Sequence, residues 1–305
     1  MVNNEGILII GLGQIGYHDA EYFTQIGLRV DGYDIDEKAT KRALDSGVIS
    51  SVANDFRGYD HYIVAISTHK PGDMFQPYLD GLAKIAEKIR EEGKRGALVA
   101  IESTISPGSS KNFLDLIDHK LHVAHVPHRF FIKEKEKHGV KQLRVVAGCQ
   151  PCCTSQALHL YGDILNIPVY PVSDVIYAEL SKVLENSHRY LEIAFAEELK
   201  IFCDEYGLSF GELRDAVNTK WNENVLEAQS GIGGHCLPKD SEMYLGLANP
   251  IIKESLLRTA KLIDLEYRRH IDQNRDKLLL NREQADETLL EEQVETKKRL
   301  LSTKN

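Results

Sequence analysis

The chain has 305 residues, 42% of them hydrophobic and 27% charged, and a formal net charge of −9. This length exceeds one typical core and fits about two domains of ordinary globular composition. The acidic balance argues against nucleic acid as the main partner, and no apolar run approaches the roughly 18 residues of a membrane span.

The first residues, MVNNEGILII, enter an apolar run with no basic segment before it, so no secretory leader is expected. ILII reads as a buried parallel strand. GLGQIG follows, with Gly11, Gly13 and Gly16 in the G-x-G-x-x-G pattern and Gln14 and Ile15 completing the loop. YHDAEYFTQIG is amphipathic and stops at Gly27, and LRVDGYD is a second strand ending at Asp34. One glycine makes the tight turn, one admits a pyrophosphate, and one packs helix on strand. The phosphates then rest on the free N–H groups of a helix N-terminus. Asp34 stands where a carboxylate accepts from ribose hydroxyls and repels a 2′-phosphate, so NAD is expected rather than NADP.

The alternation continues through HYIVAIST, GALVAIEST, LHVAHVPHR and LRVVAG. Thr68 and Thr104 lie at strand ends, where ligands bind in open parallel sheets; loop capping is their alternative reading. The expected fold is α/β: a Rossmann-type doubly wound parallel sheet over 1–172, then an all-helical central domain over 173–270. A charged helical tail over 271–305 is expected to be an oligomer contact or a frayed end.

From Asp174 the pattern is helical to Gly207. Lys182 and Asn186, four apart, share a face, which is either functional or solvated. GIGGHCLPKD (231–240) places Cys236 after three glycines, beside a histidine, with Lys239 and Asp240 following. A nucleophile, a metal ligand and an inert thiol in a tight turn are all open on the residues alone. The five cysteines are odd in number, which together with the missing leader suggests reduced thiols and a cytoplasmic protein. CQPCC (149–153) holds a C-x-x-C spacing, yet no second pair exists to complete four zinc ligands, so no metal is expected.

Four blocks together resemble the UDP-glucose/GDP-mannose dehydrogenase family, including the UDP-N-acetylmannosamine dehydrogenases. They are GLGQIG with Asp34, ESTISPG (102–108), AELSKVLENSHRYLEIAFAEEL (178–199) and GIGGHCLPKD, and the likeness spans roughly residues 5–270. The resemblance implies two hydride transfers that oxidise a primary alcohol to a carboxylate, with Cys236 as nucleophile. It assigns Lys182 and Asn186 to polarising the reacting oxygen and its water, Asp240 to supporting them, Thr104 to the nicotinamide and catalytic water, and Lys239 to the cofactor. It also implies a homodimer through the central helix.

Three departures stand out. The family's third, nucleotide-binding domain has no counterpart in the last 35 or so residues, so a separate substrate-binding subunit is a candidate partner. His128 stands where the family has a glutamate, and is a candidate base for the water step or a mark of its loss; a second family glutamate is Ile132 here. The loop before Cys236 lacks the family's arginine; Lys220 is near its place, and Trp221 reads as a packing residue. The alternatives to the family reading are a two-electron hydroxy-compound dehydrogenase on a smaller or partner-borne substrate, and a non-catalytic NAD-binding subunit.

Overall fold

The computed structural model describes residues 6–70 and 72–275; the reading of 276–305 as a helical tail lies outside them. The chain packs as two compact units, one of residues up to 187 with 235–251, the other of 188–234 with the chain from 252 on.

The first unit holds the sheet. Its strands are β1 (Ile7–Ile10), β2 (Val30–Tyr33), β3 (Ser51–Val52), β4 (His61–Val64), β7 (Leu98–Ile101), β8 (His122–His125), β9 (Arg144–Gly148) and β10 (Val169–Pro171). A small antiparallel hairpin, β5 (His69–Lys70) and β6 (Asp73–Pro77), stands apart from it. The sheet order is β10-β9-β8-β7-β4-β1-β2-β3, parallel except where β9 runs against β8. The order turns back between β1 and β4, which opens a crevice at the carboxyl ends of these strands.

Helices cover both faces, which is why the strands read as unbroken apolar runs. Ile7 and Ile9 point to the face of α1 (Gln14–Gln25), α2 (Glu37–Asp45) and α5 (Pro151–Leu158). Leu8 and Ile10 point to the opposite face, with α3 (Asp80–Glu92) and α4 (Ser109–Leu116). Strand side chains alternate, so each short run feeds two cores at once. The central helix α6 (Val175–Glu205) starts in this unit, and α8 (Cys236–Ala248) packs against β6.

The second unit contains the end of α6, α7 (Phe210–Val217), the glycine-rich loop and the helical residues 256–275. Asp264 accepts from the N–H of Ile232 at 2.8 Å, and Arg268 donates to the Ile232 carbonyl at 2.8 Å. Gly231 has φ +91°, and a Cβ there would lie 2.7 Å from the Arg268 guanidinium carbon. The loop therefore needs glycine at 231 for backbone and space together. Trp221 is 93% exposed, so the expectation that it packs within the chain is corrected.

On the α1 face the core contains five polar groups, all buried: Asp19, Glu102, His128, Arg144 and Tyr161. Arg144 lies 3.1 Å from Glu102 and 3.4 Å from Asp19, and the Tyr161 hydroxyl donates to Glu102 at 2.5 Å. Tyr161 belongs to a π-helical stretch (His159–Ile164) that continues α5. One guanidinium cannot neutralise two buried carboxylates, so one carboxyl keeps its proton. Burial raises Glu102 to about 7, opposed by Arg144 and aided by Asp19.

A pH titration of stability tests this. Glu102 ionises more reluctantly folded than unfolded, so its contribution is complete below about 4.5 and lost as the pH rises through about 7. Against Glu102→Gln, urea unfolding of the native chain should lose stability over that window, by at most about 1.4 kcal/mol per pH unit. A pH-independent difference would mean that Glu102 titrates alike in the folded and the unfolded chain.

Candidate active site

The glycine loop leaves β1 and enters α1 at Gln14, with Gly13 at the N-cap and no side chain capping the helix. The first N–H groups of α1 are thus open to an anion. Gly11 has φ +96°, and a Cβ there would meet the Ala65 carbonyl oxygen at 2.6 Å; at Gly16 it would meet the Gly11 carbonyl oxygen at 1.9 Å. No atom lies within 4 Å of the Cβ position at Gly13, so the backbone there is open to a ligand. Gln14 is exposed and Ile15 half-buried. Asp34, just past β2, accepts from Leu12 N–H at 2.6 Å and from Asp36 N–H at 2.9 Å. Each oxygen keeps a lone pair for a ribose hydroxyl. These features fit a dinucleotide.

Sequence reasoning missed Arg42. Its guanidinium donates to the Leu12 carbonyl at 2.8 Å and lies over the Tyr17 ring, 4.8 Å from the centroid. With Gly13, Gln14, Tyr17, His18 and Ile132 it lines a cleft of about 520 Å³. The signal was faint: Arg42 is one of three basic residues, with Lys38 and Lys41, on an amphipathic helix after the acidic strand end.

A second group forms at the head of α8. Cys236 is the first residue of this helix and is exposed. Asp240, four residues on, is buried, and its Oδ2 accepts from the Asn186 amide of α6. Its Oδ1 accepts from Lys239 at 2.6 Å. Lys239, 4% exposed, also reaches the Thr68 hydroxyl at 3.3 Å, and that hydroxyl donates to the Thr104 carbonyl at 2.7 Å. The group thus joins α6, α8 and the ends of β4 and β7. Among the described residues no carboxylate pairs with Lys182.

The electrostatics at the sulfur are mixed. Desolvation by the surrounding protein raises the Cys236 thiol above its ordinary value although its own surface is open, and Asp240 adds to the rise. Lys182 and Lys239 pull it down. Beside it, the half-buried His235 ring lies 5.4 Å from that of His69, which shares a 2.6 Å hydrogen bond with Ser67. Burial, then His69, lowers His235. His69 escaped the sequence reading because it belongs to an isolated hairpin that no pattern joined to Cys236.

His128 feels the charge of Lys182, but its ring bonds into the buried cluster on the α1 face. Its Nδ1 accepts the Phe130 N–H at 2.9 Å, which places the ring proton on Nε2, and Nε2 donates to Asp19 at 3.0 Å. Burial and then Arg144 hold the ring well below the ordinary histidine range. Both nitrogens are engaged, Nδ1 by a backbone N–H and Nε2 by the core cluster, so in this arrangement the ring offers no open lone pair to a water.

The UDP-glucose/GDP-mannose dehydrogenase family, central domain, matches residues 177–264. The chain is 30% identical over 288 residues to the UDP-N-acetyl-D-mannosamine dehydrogenase of Pyrococcus horikoshii, covering 85% of this chain and 68% of that protein. To the Campylobacter jejuni enzyme of the same name it is 27% identical over 293 residues, covering 85% and 71%. A solved structure of the Pyrococcus horikoshii UDP-D-ManNAc dehydrogenase superimposes with a TM-score of 0.76 at 28% identity, over 86% of this chain and 68% of that one. The chain belongs to the UDP-glucose/GDP-mannose dehydrogenase family, a family of oxidoreductases acting on CH–OH groups.

Proposed function

We propose that the protein oxidises a primary alcohol of a sugar nucleotide or related substrate to a carboxylate, with NAD as oxidant and Cys236 as covalent nucleophile. The observation that carries this reading is the buried contact of Asn186 and Lys239 with Asp240, one helical turn from Cys236. NAD, when bound, accepts hydride. The glycine loop and the open N-terminus of α1 would hold its pyrophosphate, Asp34 its ribose, and Arg42 adds a positive charge at the same cleft.

The chain's own residues do the rest. Lys182 and Asn186 hold the substrate oxygen as its proton leaves. The Cys236 thiolate adds to the aldehyde carbonyl, and Lys182 stabilises the resulting oxyanion of the thiohemiacetal. Loss of the second hydride leaves a thioester on Cys236, and water cleaves it to the acid and the free thiol. One alcohol, one water and two oxidised cofactors thus give one carboxylate, two reduced cofactors and three protons. Thr104 and Asp240 are assigned to the water and to holding Asn186, and Thr68 and Lys239 to the cofactor side. Leu184, Phe195, Phe202 and Tyr206 leave apolar surface exposed on and just past α6, which supports a homodimer through that helix. A separate substrate-binding subunit is a further candidate partner. No helix among the described residues is long and apolar enough to cross a membrane.

Stoichiometry tests the reading. Purified protein is given NAD or NADP with a panel of UDP- and GDP-sugars, beside Cys236→Ala. The expected result is about two NADH per substrate with NAD, lost in the variant. About one NADH, retained in Cys236→Ala, would replace it with a two-electron dehydrogenase. Binding of NAD without turnover on the panel would favour the non-catalytic subunit.

Lys182→Met isolates the electrostatic role. Its kcat should fall roughly 100-fold or more. Alkylation of Cys236 by iodoacetamide should also shift to higher pH, since Lys182 is one of the two cations that lower the thiol. An unshifted alkylation profile would remove Lys182 from the sulfur's environment.

A further inference from the structure

We propose that His122, Cys152 and Cys153 form a binding site for a thiophilic divalent cation of the zinc type. The site is separate from the dehydrogenase group and independent of its reading. One ligand atom from each residue lies within 4.8 Å of the other two. Cys153 Sγ and His122 Nδ1 are already 3.5 Å apart. Around a tetrahedral zinc with bonds of roughly 2.0–2.3 Å, neighbouring ligand atoms stand roughly 3.3–3.8 Å apart, so closure asks for a movement of about 1 Å at most.

The local structure fixes these atoms. Cys152 and Cys153 belong to the first turn of α5, where the Gln150 carbonyl accepts from the N–H groups of Cys153 and Thr154. Gly148 ends β9 hard against this turn: a Cβ there would lie 2.4 Å from Cys153 Cβ, and its N–H donates to the Thr154 hydroxyl at 2.9 Å. His122 opens β8. Cys153 is buried, His122 half-buried and Cys152 exposed, so an ion can enter from solvent and keep a fourth position for water.

The position separates this site from the dehydrogenase chemistry. β8 runs parallel to β7, so His122 stands at the edge where these strands begin. Thr104 follows the end of β7, at the opposite edge. The C-x-x-C spacing alone could not disclose the site, because its third ligand lies 31 residues from Cys153.

The test uses the full chain carrying Cys236→Ala, which removes the other exposed thiol near a cation pair. It is titrated with Co²⁺ and then with Zn²⁺. The expected result is a thiolate-to-cobalt charge-transfer band that saturates at one equivalent and is bleached by Zn²⁺. Cys152→Ser and His122→Gln, added singly, should each weaken binding by more than about tenfold, the least that even an outer-shell partner costs. Cys152 is exposed, so its replacement spares the core; an unchanged metal-free Tm checks this. Absence of the band at one equivalent, or undiminished affinity in both variants, overturns the site.

Discussion

The candidate active site depends on one buried carboxylate. Asp240 is 1% exposed, and an ionised carboxylate so placed costs several kcal/mol unless both oxygens are paired. Here each oxygen has its own donor, Asn186 from α6 and Lys239 from α8. Lys239 is nearly as buried and depends on Asp240 in return, while its remaining donor reaches Thr68 at the sheet edge. None of these groups can turn to solvent without leaving a partner unsatisfied. The arrangement fixes the rotation of α8, and with it the direction of Cys236.

The core cluster around Arg144 shows the opposite use of buried charge. Its cation is shared by two carboxylates, its histidine has both nitrogens engaged, and its tyrosine donates inward. These contacts brace β9, the π-helical stretch and α1 against one another, although Asp19 Oδ2 and Arg144 Nε find no hydrogen-bond partner. A proton-transfer group must instead offer an open lone pair to a ligand. On that criterion His128 belongs to the brace, whereas His235, next to Cys236 in the chain, and His69, 5.4 Å from its ring, stand outside it.

Much of the fold was legible because local signals agreed with the global plan. The run ILII, three glycines, an amphipathic helix and Asp34 at a strand end each name the same unit, and the structure contains it. The long helix was equally plain, since its periodicity holds from Val175 to Glu205. What escaped notice depended on tertiary context. The reversal of β9 against β8 leaves no trace in a buried apolar strand. The partners of His128 lie 109 residues away at Asp19 and two residues away on the backbone, and neither is visible as spacing. Trp221 misled because size suggests burial, whereas its loop leaves it open. The site residues were legible only as types. The residues alone left Cys236 as nucleophile, ligand or inert thiol; the family resemblance grouped it with Lys182, Asn186 and Asp240, and which of them meet is a property of helix packing.

That packing has a simple form. Lys182 and Asn186 are one helical turn apart on α6, and Cys236 and Asp240 are one turn apart on α8. Asn186 bonds Asp240, so the two turns are in step, and Lys182 acts on Cys236. The pairing eases a conflict within the site. Asp240 raises the thiol that it helps to place, which by itself would disfavour a nucleophile. Its charge is met at short range by Lys239, whereas Lys182 has no carboxylate partner among the described residues. Lys182 therefore keeps its charge for the sulfur, although burial and Asp240 still hold the thiol above its ordinary value. With Lys239 it limits that rise, and such a cation can also stabilise an oxyanion formed beside the sulfur.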